Sequence, residues 1–455
     1  MKIDYMEKAQ EYYPSALKLL EKIISFKTIL DKYDPNSDAP FGVENKKALN
    51  YLLESAKNDG FEVKNVDNYA GHIEIGNSNG EIVGILGHLD VVPTKGQNWE
   101  SNPFILTKRD GKLYARGSED DKGPLVASYI ALKIIKDLKL PVSKRARLIF
   151  GCDEESGSRC LTHYFEKEIK PEIGFSPDAE FPLIYGEKSN ASFDIKGKLA
   201  NDDIILEFVS GERYNVVPET ARMKLKIDLT NEYLAYLKEN NYRGEVKDGY
   251  LYAYGIASHA MVPQKGLNAS FILFEFLNRI HKTNLSNYVC KYLTFDPFGE
   301  KLGINIYDDN MKELTMNVGV VNILNNEFKI GINCRIPVNN YDTKLKECVE
   351  KSFKLTDNDY SFNLLGCSKI HYVDPNSDLI KTLMNAYQEM TGDYTNKPFT
   401  IGGGTYAAFI DNAVAFGPMF PGSEDVCHIA NEYIKVEDFI KSIAIYTKAI
   451  YDLIK

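Results

Sequence analysis

Short apolar runs alternate with a helical pattern in the first part of the chain. Three runs have the length and the Val/Ile content of buried strands: EIVGILGH (81–88), ARLIFGC (146–152) and EIGFSP (172–177). Between the first two, GPLVASYIALKIIKDLK (123–139) carries apolar residues at the spacing of a helix that packs on a sheet. Strands that alternate with helices are typical of an α/β domain, so we predict a largely parallel sheet flanked by helices.

The middle of the chain has a different pattern. From about Tyr185 to about Pro375, runs such as GYLYAYGI and FKIGINCRIP alternate between apolar and polar residues, which predicts strands with one exposed face. A chain of 455 residues also exceeds the size at which one core usually stops growing. We therefore predict a first domain of residues 1–184 and 376–455, with residues 185–375 inserted as an α+β domain.

Charge and apolar patterning exclude several classes of partner. Lys and Arg number 54 and Asp and Glu 64, so the formal charge is −10 and we expect no nucleic-acid partner. No run of about 18 apolar residues is present, so we expect no membrane span. Seven scattered cysteines form no CxxC pair, and the first residues have no apolar segment of the signal-peptide type. These features predict a cytoplasmic protein.

Side chains that can bind metal follow the predicted strands. His88 ends the first run, Glu155 follows the second and Asp178 the third, while Asp120 precedes the predicted helix and His428 follows the later run AVAFGP. Because ligands bind beyond the carboxyl ends of strands in open α/β sheets, these side chains should converge. Their carboxylates would repel one another unless cations held them. Two divalent ions bridged by one carboxylate would meet that need, Zn best, with Mn or Co as alternatives.

Each fragment also has an ordinary structural explanation. A His-x-Asp at a strand end is more often a buried histidine beside a carboxylate, and Asp120–Asp121 could be an N-cap with a first-turn acid. The run Asp153–Glu155 could be a solvated acidic loop, Asp178 a turn residue, and His428 a satisfied core histidine. The metal hypothesis is favoured because all five fragments fall together at predicted strand ends.

The motifs, taken together, closely resemble one family of enzymes. They are GHLDVVP (87–93), RGSEDDKGP (116–124), DEES (153–156), SPDAEFP (176–182), SHAMVPQKGLNA (258–269), GGGTYA (402–407) and CHIANE (427–432). The family is that of the dinuclear-metal peptidases, which includes carboxypeptidase G, aminoacylase, carnosinase, succinyl-diaminopimelate desuccinylase and the peptidase V-type dipeptidases. The segment GERYNVVPE (211–219) and the length of the insertion are most similar to the peptidase V branch.

The resemblance implies a role for each metal-binding candidate. Asp120 would bridge the two ions. His88 and Asp178 would bind one ion, and Glu155 and His428 the other. The resemblance also implies a cis peptide bond between Asp120 and Asp121. The first domain would then be the catalytic, metal-binding domain, and the inserted domain would be a lid.

Two further acidic residues receive roles by the same resemblance. Glu154 would be the general base, and the Asp90 carboxylate would orient the ligand His88 and set its tautomer. The implied activity is that of a metal-dependent dipeptidase, which hydrolyses the peptide bond of dipeptides, its small-molecule substrates, by a metal-bridged hydroxide. The alternatives are an N-acyl-amino-acid amidohydrolase of the aminoacylase or desuccinylase type, and a catalytically inactive binding protein on the same fold.

The remaining candidates lie outside the predicted metal cluster. His259 matches the family's transition-state histidine, and the substrate-binding candidates are Asn215, Arg335, Gly402, Gly403 and Gly404. Asn215 and Arg335 could also be structural surface residues, and the glycines could form a tight turn or present N–H groups to a substrate carboxylate. A long insertion that stands in for a neighbour's lid predicts a monomer.

Overall fold

The computed structural model describes residues 3–200, 203–356 and 358–455. The chain divides into two units, which we call unit 1 and unit 2. Unit 1 consists of Met1–Tyr185, Tyr372–Phe399 and Thr405–Lys455, and unit 2 of Gly186–His371 and Thr400–Gly404. The sequence-based boundaries kept residues 376–455 in one domain, whereas the short segment Thr400–Gly404 groups with unit 2.

The described residues form ten α-helices, with two short 3-10 helices at Pro263–Lys265 and Tyr406–Phe409. The α-helices are α1 (Tyr5–Ile24), α2 (Val43–Asn58), α3 (Lys122–Asp137), α4 (Arg159–Phe165), α5 (Thr230–Asn240), α6 (Ala269–Ile280), α7 (Asn284–Tyr292), α8 (Asp342–Leu355), α9 (Asp378–Thr391) and α10 (Val436–Ile454).

The strands of the described residues are numbered along the chain. They are β1 (Glu62–Val66), β2 (Ala70–Gly76), β3 (Ile82–His88), β4 (Thr107–Arg109), β5 (Lys112–Tyr114), β6 (Arg145–Gly151), β7 (Ile173–Ser176), β8 (Ala179–Glu180), β9 (Ile184–Glu187), β10 (Ser189–Lys198), β11 (Ile205–Ser210), β12 (Thr220–Leu225), β13 (Arg243–Lys247), β14 (Tyr250–Tyr254), β15 (Tyr307–Asp308), β16 (Lys312–Glu313), β17 (Thr315–Leu324), β18 (Glu327–Ile336), β19 (Ser361–Cys367), β20 (His371–Tyr372), β21 (Phe399–Ile401), β22 (Ala413–Ala415), β23 (Pro418–Met419) and β24 (Tyr433–Lys435).

The nine-stranded sheet confirms the predicted α/β class. Its order is β1-β2-β6-β3-β7-β22-β9-β20, with β21 beside β9. Strand β3 runs parallel to β6 and β7, and β22 runs parallel to β7. The pairs β1–β2, β2–β6 and β22–β9 are antiparallel, so the sheet is mixed and its parallel strands lie at the centre. All seven residues of β3 are buried, as is typical of a central parallel strand.

Helix α3 places the segment that follows Asp120 against this sheet. Residues 122–132 are all buried, and the helix contacts β3, β6, α1 and α10. A helix segment that is covered in this way is mostly apolar, as residues 123–132 are. At its start, the buried Lys122 Nζ donates to the carbonyls of Ile23 and Phe26 near the end of α1. The start of α3 is therefore held by packing and by these two hydrogen bonds.

Unit 2 is built on an eight-stranded sheet. The order is β13-β14-β12-β11-β17-β18-β10-β19, and the neighbouring strands pair antiparallel. Helix α6 packs on β12 and β14, and α8 on β19. Rings of the strand and helix layers interlock, as where Phe208 stacks on Phe274 with 4.6 Å between centroids. This architecture is the α+β fold predicted from the alternating runs.

Several elements carry weak sequence signals and were not predicted. They include α5, α7 and the β1–β2 hairpin. Helix α7 begins with a capping box between Thr283 and Ser286, where serine replaces the more usual Glu or Gln. Among the described residues, no helix is long and apolar enough to cross a membrane.

Candidate metal centre

Neighbouring parallel strands bring three of the candidate ligands to one edge of the sheet. His88 is the last residue of β3, Glu155 follows β6 and Asp178 follows β7. Asp120 ends the loop that leads into α3, and His428 lies on the loop between β23 and β24. Because β6, β3 and β7 are adjacent and parallel, their carboxyl ends meet, and the structure brings all five residues together.

The Asp120 carboxylate lies between the two histidines. Its Oδ1 is 3.0 Å from Nε2 of His88, and its Oδ2 is 2.9 Å from Nε2 of His428. The Nε2 atom of His88 is also 3.6 Å from Oδ2 of Asp178, and that of His428 is 3.1 Å from Oε2 of Glu155. The five residues therefore form two groups of three, and both groups contain Asp120.

Each group has the size and chemistry of a metal site. Its three ligand atoms lie within 4.8 Å of one another, as atoms arranged around one cation would. Each group combines one imidazole nitrogen with oxygens from two carboxylates, a donor set that suits zinc and accommodates manganese or cobalt. The described residues therefore fit two divalent cations that share the Asp120 carboxylate.

The charges in the cluster favour protons on both histidines when no cation balances the carboxylates. Burial acts to lower the pKa of His88, but nearby carboxylates, Asp178 foremost, outweigh it and raise that pKa well above its ordinary value. Burial also opposes charge on His428, and Asp120 and Glu155 nevertheless raise its pKa to about 11. Since a histidine binds metal in its neutral form, each cation would take the place of such a proton.

Two of the three carboxyl groups in the cluster, those of Glu155 and Asp178, have raised pKa values. Burial opposes the charge of Asp120 as well, but hydrogen bonds with His428 and His88 lower the pKa of its carboxyl below the ordinary value. Burial, and then the charge of Asp120, raises the pKa of Glu155 to about 7 and that of Asp178 to about 6. These shifts mean that the site disfavours several buried negative charges on its own. A pair of divalent cations would relieve that cost.

Glu154 lies beside the cluster but belongs to neither group of three. Burial, and then the charge of Asp178, raises the pKa of its carboxyl well above the ordinary value. The loop that carries it is held by Asp153, whose carboxylate accepts hydrogen bonds of 2.7 Å from both Nε and Nη2 of Arg159. Asp153 is fully buried, so this segment is an ordered part of the site rather than a solvated acidic loop.

Asp90 contacts the site differently from the expected arrangement. The Nδ1 atom of His88 lies 2.9 Å from the backbone carbonyl of Asp90, and 3.5 Å from the carboxylate. Since a carbonyl can only accept, Nδ1 carries the proton in this bond, and Nε2 faces the other ligands. The Asp90 carboxylate instead accepts the backbone N–H of Glu154 and that of Glu155, each at 3.0 Å. Asp90 thereby links one ligand histidine to the two adjacent glutamates.

Asp121 does not act as the helix cap that its position suggested. Its side chain makes no capping hydrogen bond to α3, although it stands at the N-cap position. Its Oδ2 accepts the backbone N–H of His88 at 2.9 Å instead. The Asp120–Asp121 peptide bond is cis, which confirms that expectation.

Glu432 supports the Asp120 loop, although its sequence position suggested no role. Its side chain is fully buried, and its Oε2 pairs with Nη1 of Arg116 at 2.5 Å. Its Oε1 accepts backbone N–H groups of the loop, those of Gly117, Glu119 and Asp120. The signal available in the sequence was its place at the end of the CHIANE motif, four residues after His428.

The remaining candidates all belong to unit 2 and lie near the segment of residues 259–261. The carbonyl of Asn215 accepts the N–H of Ala260, the residue after His259, at 2.9 Å. The buried Arg335 guanidinium donates from Nη1 to the carbonyl of Gly402 at 2.8 Å, and burial lowers its pKa to about 10. Asn215 is exposed. Arg335 is buried, so it is not a structural surface residue, which was the alternative to substrate binding.

The three glycines differ in how much space each has for a side chain. A Cβ on Gly402 would lie 2.6 Å from Cβ of Met261, so this position has no room for a side chain. A Cβ on Gly403 would come no closer than 3.1 Å to Ile401, and one on Gly404 would meet only Glu187, at 3.8 Å. Close packing therefore requires glycine at position 402 alone.

Comparison with known proteins places the chain in a family. Residues 84–452 match the sequence profile of "Peptidase family M20/M25/M40". The chain belongs to this peptidase family. A curated relative from Staphylococcus epidermidis named "Putative dipeptidase" is 39% identical over 471 residues, which covers 99% of each protein. Membership confirms the resemblance seen in the motifs and makes the protein a metallopeptidase.

Solved structures of this peptidase family share the fold. Human carnosine dipeptidase 1 superimposes with a TM-score of 0.60 at 16% identity, covering 99% of this chain and 98% of that one. A Bacillus subtilis protein described as a dinuclear metal binding peptidase gives a TM-score of 0.52 at 12% identity, covering 98% of each chain. At these identities the likeness establishes the common fold.

Proposed function

We propose that this M20-family chain is a dipeptidase that uses two divalent cations. The observation that carries the proposal is the Asp120 carboxylate, which reaches His88 with one oxygen and His428 with the other. Asp178 would complete the site of the first ion, and Glu155 that of the second. Zinc is the preferred ion for this donor set, with manganese or cobalt as alternatives.

A pair of divalent cations would supply a nucleophile from water near neutral pH and polarise the scissile carbonyl. Glu154 is the proposed general base, since it lies beside both groups of ligands without belonging to either. Its carboxylate would accept the proton of the attacking water and later donate it to the leaving amine. Asp90 would hold Glu154 for this transfer through the hydrogen bond to its backbone N–H.

For unit 2 we propose the roles that the family resemblance implies. His259 would donate a hydrogen bond to the oxyanion of the transition state, a contribution worth about 3–4 kcal/mol in comparable oxyanion holes. Asn215, Arg335 and the segment Gly402–Gly404 would bind the substrate. Two observations support this grouping: Arg335 contacts Gly402, and Asn215 contacts the segment that follows His259.

We further propose that the enzyme acts as a monomer in the cytoplasm. The support for a monomer is the long insertion of unit 2, and all seven cysteines are free thiols, which fits a reducing compartment.

The proposal is tested on protein stripped of metal with a chelator. We expect no hydrolysis of dipeptides until Zn, Mn or Co is added back, and faster turnover of dipeptides than of N-acetylated amino acids. Preference for the N-acetylated substrates would favour an amidohydrolase of the aminoacylase type. Full activity after exhaustive removal of metal would contradict the central claim.

A further inference from the structure

A chain of three side chains, none of them a candidate ligand, connects the loops that carry Asp120 and His428. It consists of Gln97, Arg116 and Glu432. At one end, Oε1 of Glu432 lies 3.2 Å from the backbone nitrogen of Asp120. In the middle, Arg116 pairs with Glu432 through Nη1 and donates from Nη2 to Oε1 of Gln97 at 2.8 Å.

At the other end, Gln97 holds the backbone of His428. Its Nε2 donates to the carbonyl of His428 at 2.7 Å. Its Oε1 accepts from Nε1 of Trp99 at 3.0 Å, in addition to the bond from Arg116. The amide orientation is determined by these partners, because only a nitrogen can donate to a carbonyl and only an oxygen can accept from a guanidinium.

The bond from Gln97 reaches His428 at an unfavourable backbone conformation. His428 has a φ of 66°, in the left-handed region that residues other than glycine rarely adopt. Its side chain is 46% exposed, so packing alone holds it weakly. A hydrogen bond to its carbonyl therefore restricts the direction in which its imidazole points.

We infer that Gln97 and Glu432 are positioning residues, each for a different part of the metal centre. Gln97 sets the pose of His428 and so controls the affinity of one ion, the one held by Asp120, Glu155 and His428. Glu432 sets the pose of Asp120 and so controls the affinity of both ions. This inference rests on the proposed function, in which the five ligands hold two cations.

Gln97→Glu is the most selective test of this network. Glutamate has the size of glutamine and still accepts from Arg116 and Trp99, but its carboxylate cannot donate to the His428 carbonyl. The measurement is a titration of metal-free protein with Co²⁺ in the presence of a competing chelator. Binding is monitored through the visible absorption of bound cobalt. We expect one of two ions to bind about 10- to 100-fold more weakly, and the other to bind as in the wild type.

Asn431→Gly is the matched control. The Asn431 side chain accepts the backbone N–H of Glu100 at 2.9 Å. It thereby ties the loop of His428 to the loop that carries Gln97, as Gln97 itself does, but without contacting a ligand. Its φ of 60° suits glycine, so the substitution removes the bond without backbone strain. Cobalt affinities should stay near wild type. Equal weakening in Asn431→Gly and Gln97→Glu would show general loosening of the loops and overturn the role of Gln97.

Glu432→Gln should produce a different pattern, with both cobalt ions bound more weakly, because Asp120 belongs to both sites. If this buried substitution prevents folding, Gln97→Glu and its control Asn431→Gly still decide the part of the inference that concerns Gln97. Unchanged affinities in Gln97→Glu would overturn the inference while leaving the proposed function standing. A wild-type protein that binds fewer than two cobalt ions would overturn both.

Discussion

The Nδ1 atom of His88 hydrogen-bonds the backbone carbonyl of Asp90, not its carboxylate. The two distances are 2.9 Å and 3.5 Å. The carboxylate is thereby available to accept the N–H groups of Glu154 and Glu155. One residue thus orients the imidazole of a candidate ligand with its main chain and the loop of Glu154 and Glu155 with its side chain.

The separate contacts of the Asp90 carbonyl and the Asp90 carboxylate predict the effect of Asp90→Asn. The backbone carbonyl remains, so His88 keeps its orientation and the ion at His88 and Asp178 should bind nearly as in the wild type. The asparagine amide keeps one oxygen, which can accept only one of the backbone N–H groups of Glu154 and Glu155. Its NH2 group faces the other N–H group, and two donors repel each other. We expect kcat to fall by about 10- to 100-fold. Selective loss of the ion at His88, measured by metal titration, would instead favour orientation by the carboxylate.

The adjacent glutamates should give opposite phenotypes. Glu154→Gln cannot accept a proton, so turnover should fall by about 100-fold or more while both metal ions remain bound. Glu155→Gln removes a charged ligand and should lower metal content. Elemental analysis and single-turnover kinetics on the two variants distinguish these effects. Exchanged phenotypes would mean that the base and the ligand have been assigned in reverse.

His72 predicts a pH dependence of stability away from the metal centre. Burial, followed by the charges of Arg147 and Lys64, lowers its pKa to about 3. Its Nδ1 lies 2.6 Å from the Tyr164 hydroxyl, a bond that the neutral ring accepts. Glu74 is 3.6 Å from Nε2 but is already paired with Arg147, which limits its ability to stabilise a charged ring.

Because the folded state disfavours protonated His72, the unfolded state binds more protons below pH 6.5. Stability contributed by this residue is therefore complete above that pH and falls as the pH is lowered, by about 2 kcal/mol between pH 6.5 and pH 5. His72→Asn, whose side-chain oxygen can accept from Tyr164, should lose this part of the pH dependence. The measurement is urea unfolding of both proteins across this range. Parallel stability curves would contradict the prediction, since every other titrating group is shared.

The proposed monomer predicts the outcome of a mixing experiment. In the proposed mechanism, His259→Ala removes the oxyanion donor and Glu154→Gln removes the general base. If each active site lies within one polypeptide, a mixture of the two proteins should be no more active than either alone. Recovery of about one quarter of wild-type activity would reveal sites shared between subunits, because random pairing would rebuild one good site in half of the dimers. A structural role for His259 would instead lower the melting temperature of His259→Ala and leave turnover of the folded protein nearly unchanged.

The candidate ligands could be predicted from the sequence because each is recognised by the residues next to it in the chain. His88, Glu155 and Asp178 each stand next to an apolar run, and parallel strands bring such positions to one edge. The ordinary explanations for the same residues could not be excluded from local pattern. Tertiary contacts decide between them, as where the Asp121 carboxylate accepts the His88 N–H instead of capping α3.

The network of Gln97, Arg116 and Glu432 could not be predicted in this way. Gln97 and His428 are 331 residues apart along the chain, and a glutamine in a polar loop has no pattern that predicts its partner. The same holds for Arg116 and Glu432, a pair 316 residues apart whose charges are hidden in the folded interior.

The amino-acid sequence by itself determined the α/β and α+β composition of the chain, the family, and the five side chains with metal-binding chemistry. These depend on residue type and on periodicity, which are set within a few positions. Only the tertiary structure decided that Asp120 faces both histidines, that the carbonyl of Asp90 rather than its carboxylate contacts His88, and that Glu432 holds the Asp120 loop. A hydrogen bond forms only when its donor and acceptor lie about 2.7–3.2 Å apart, and the packing of distant parts of the chain sets those distances.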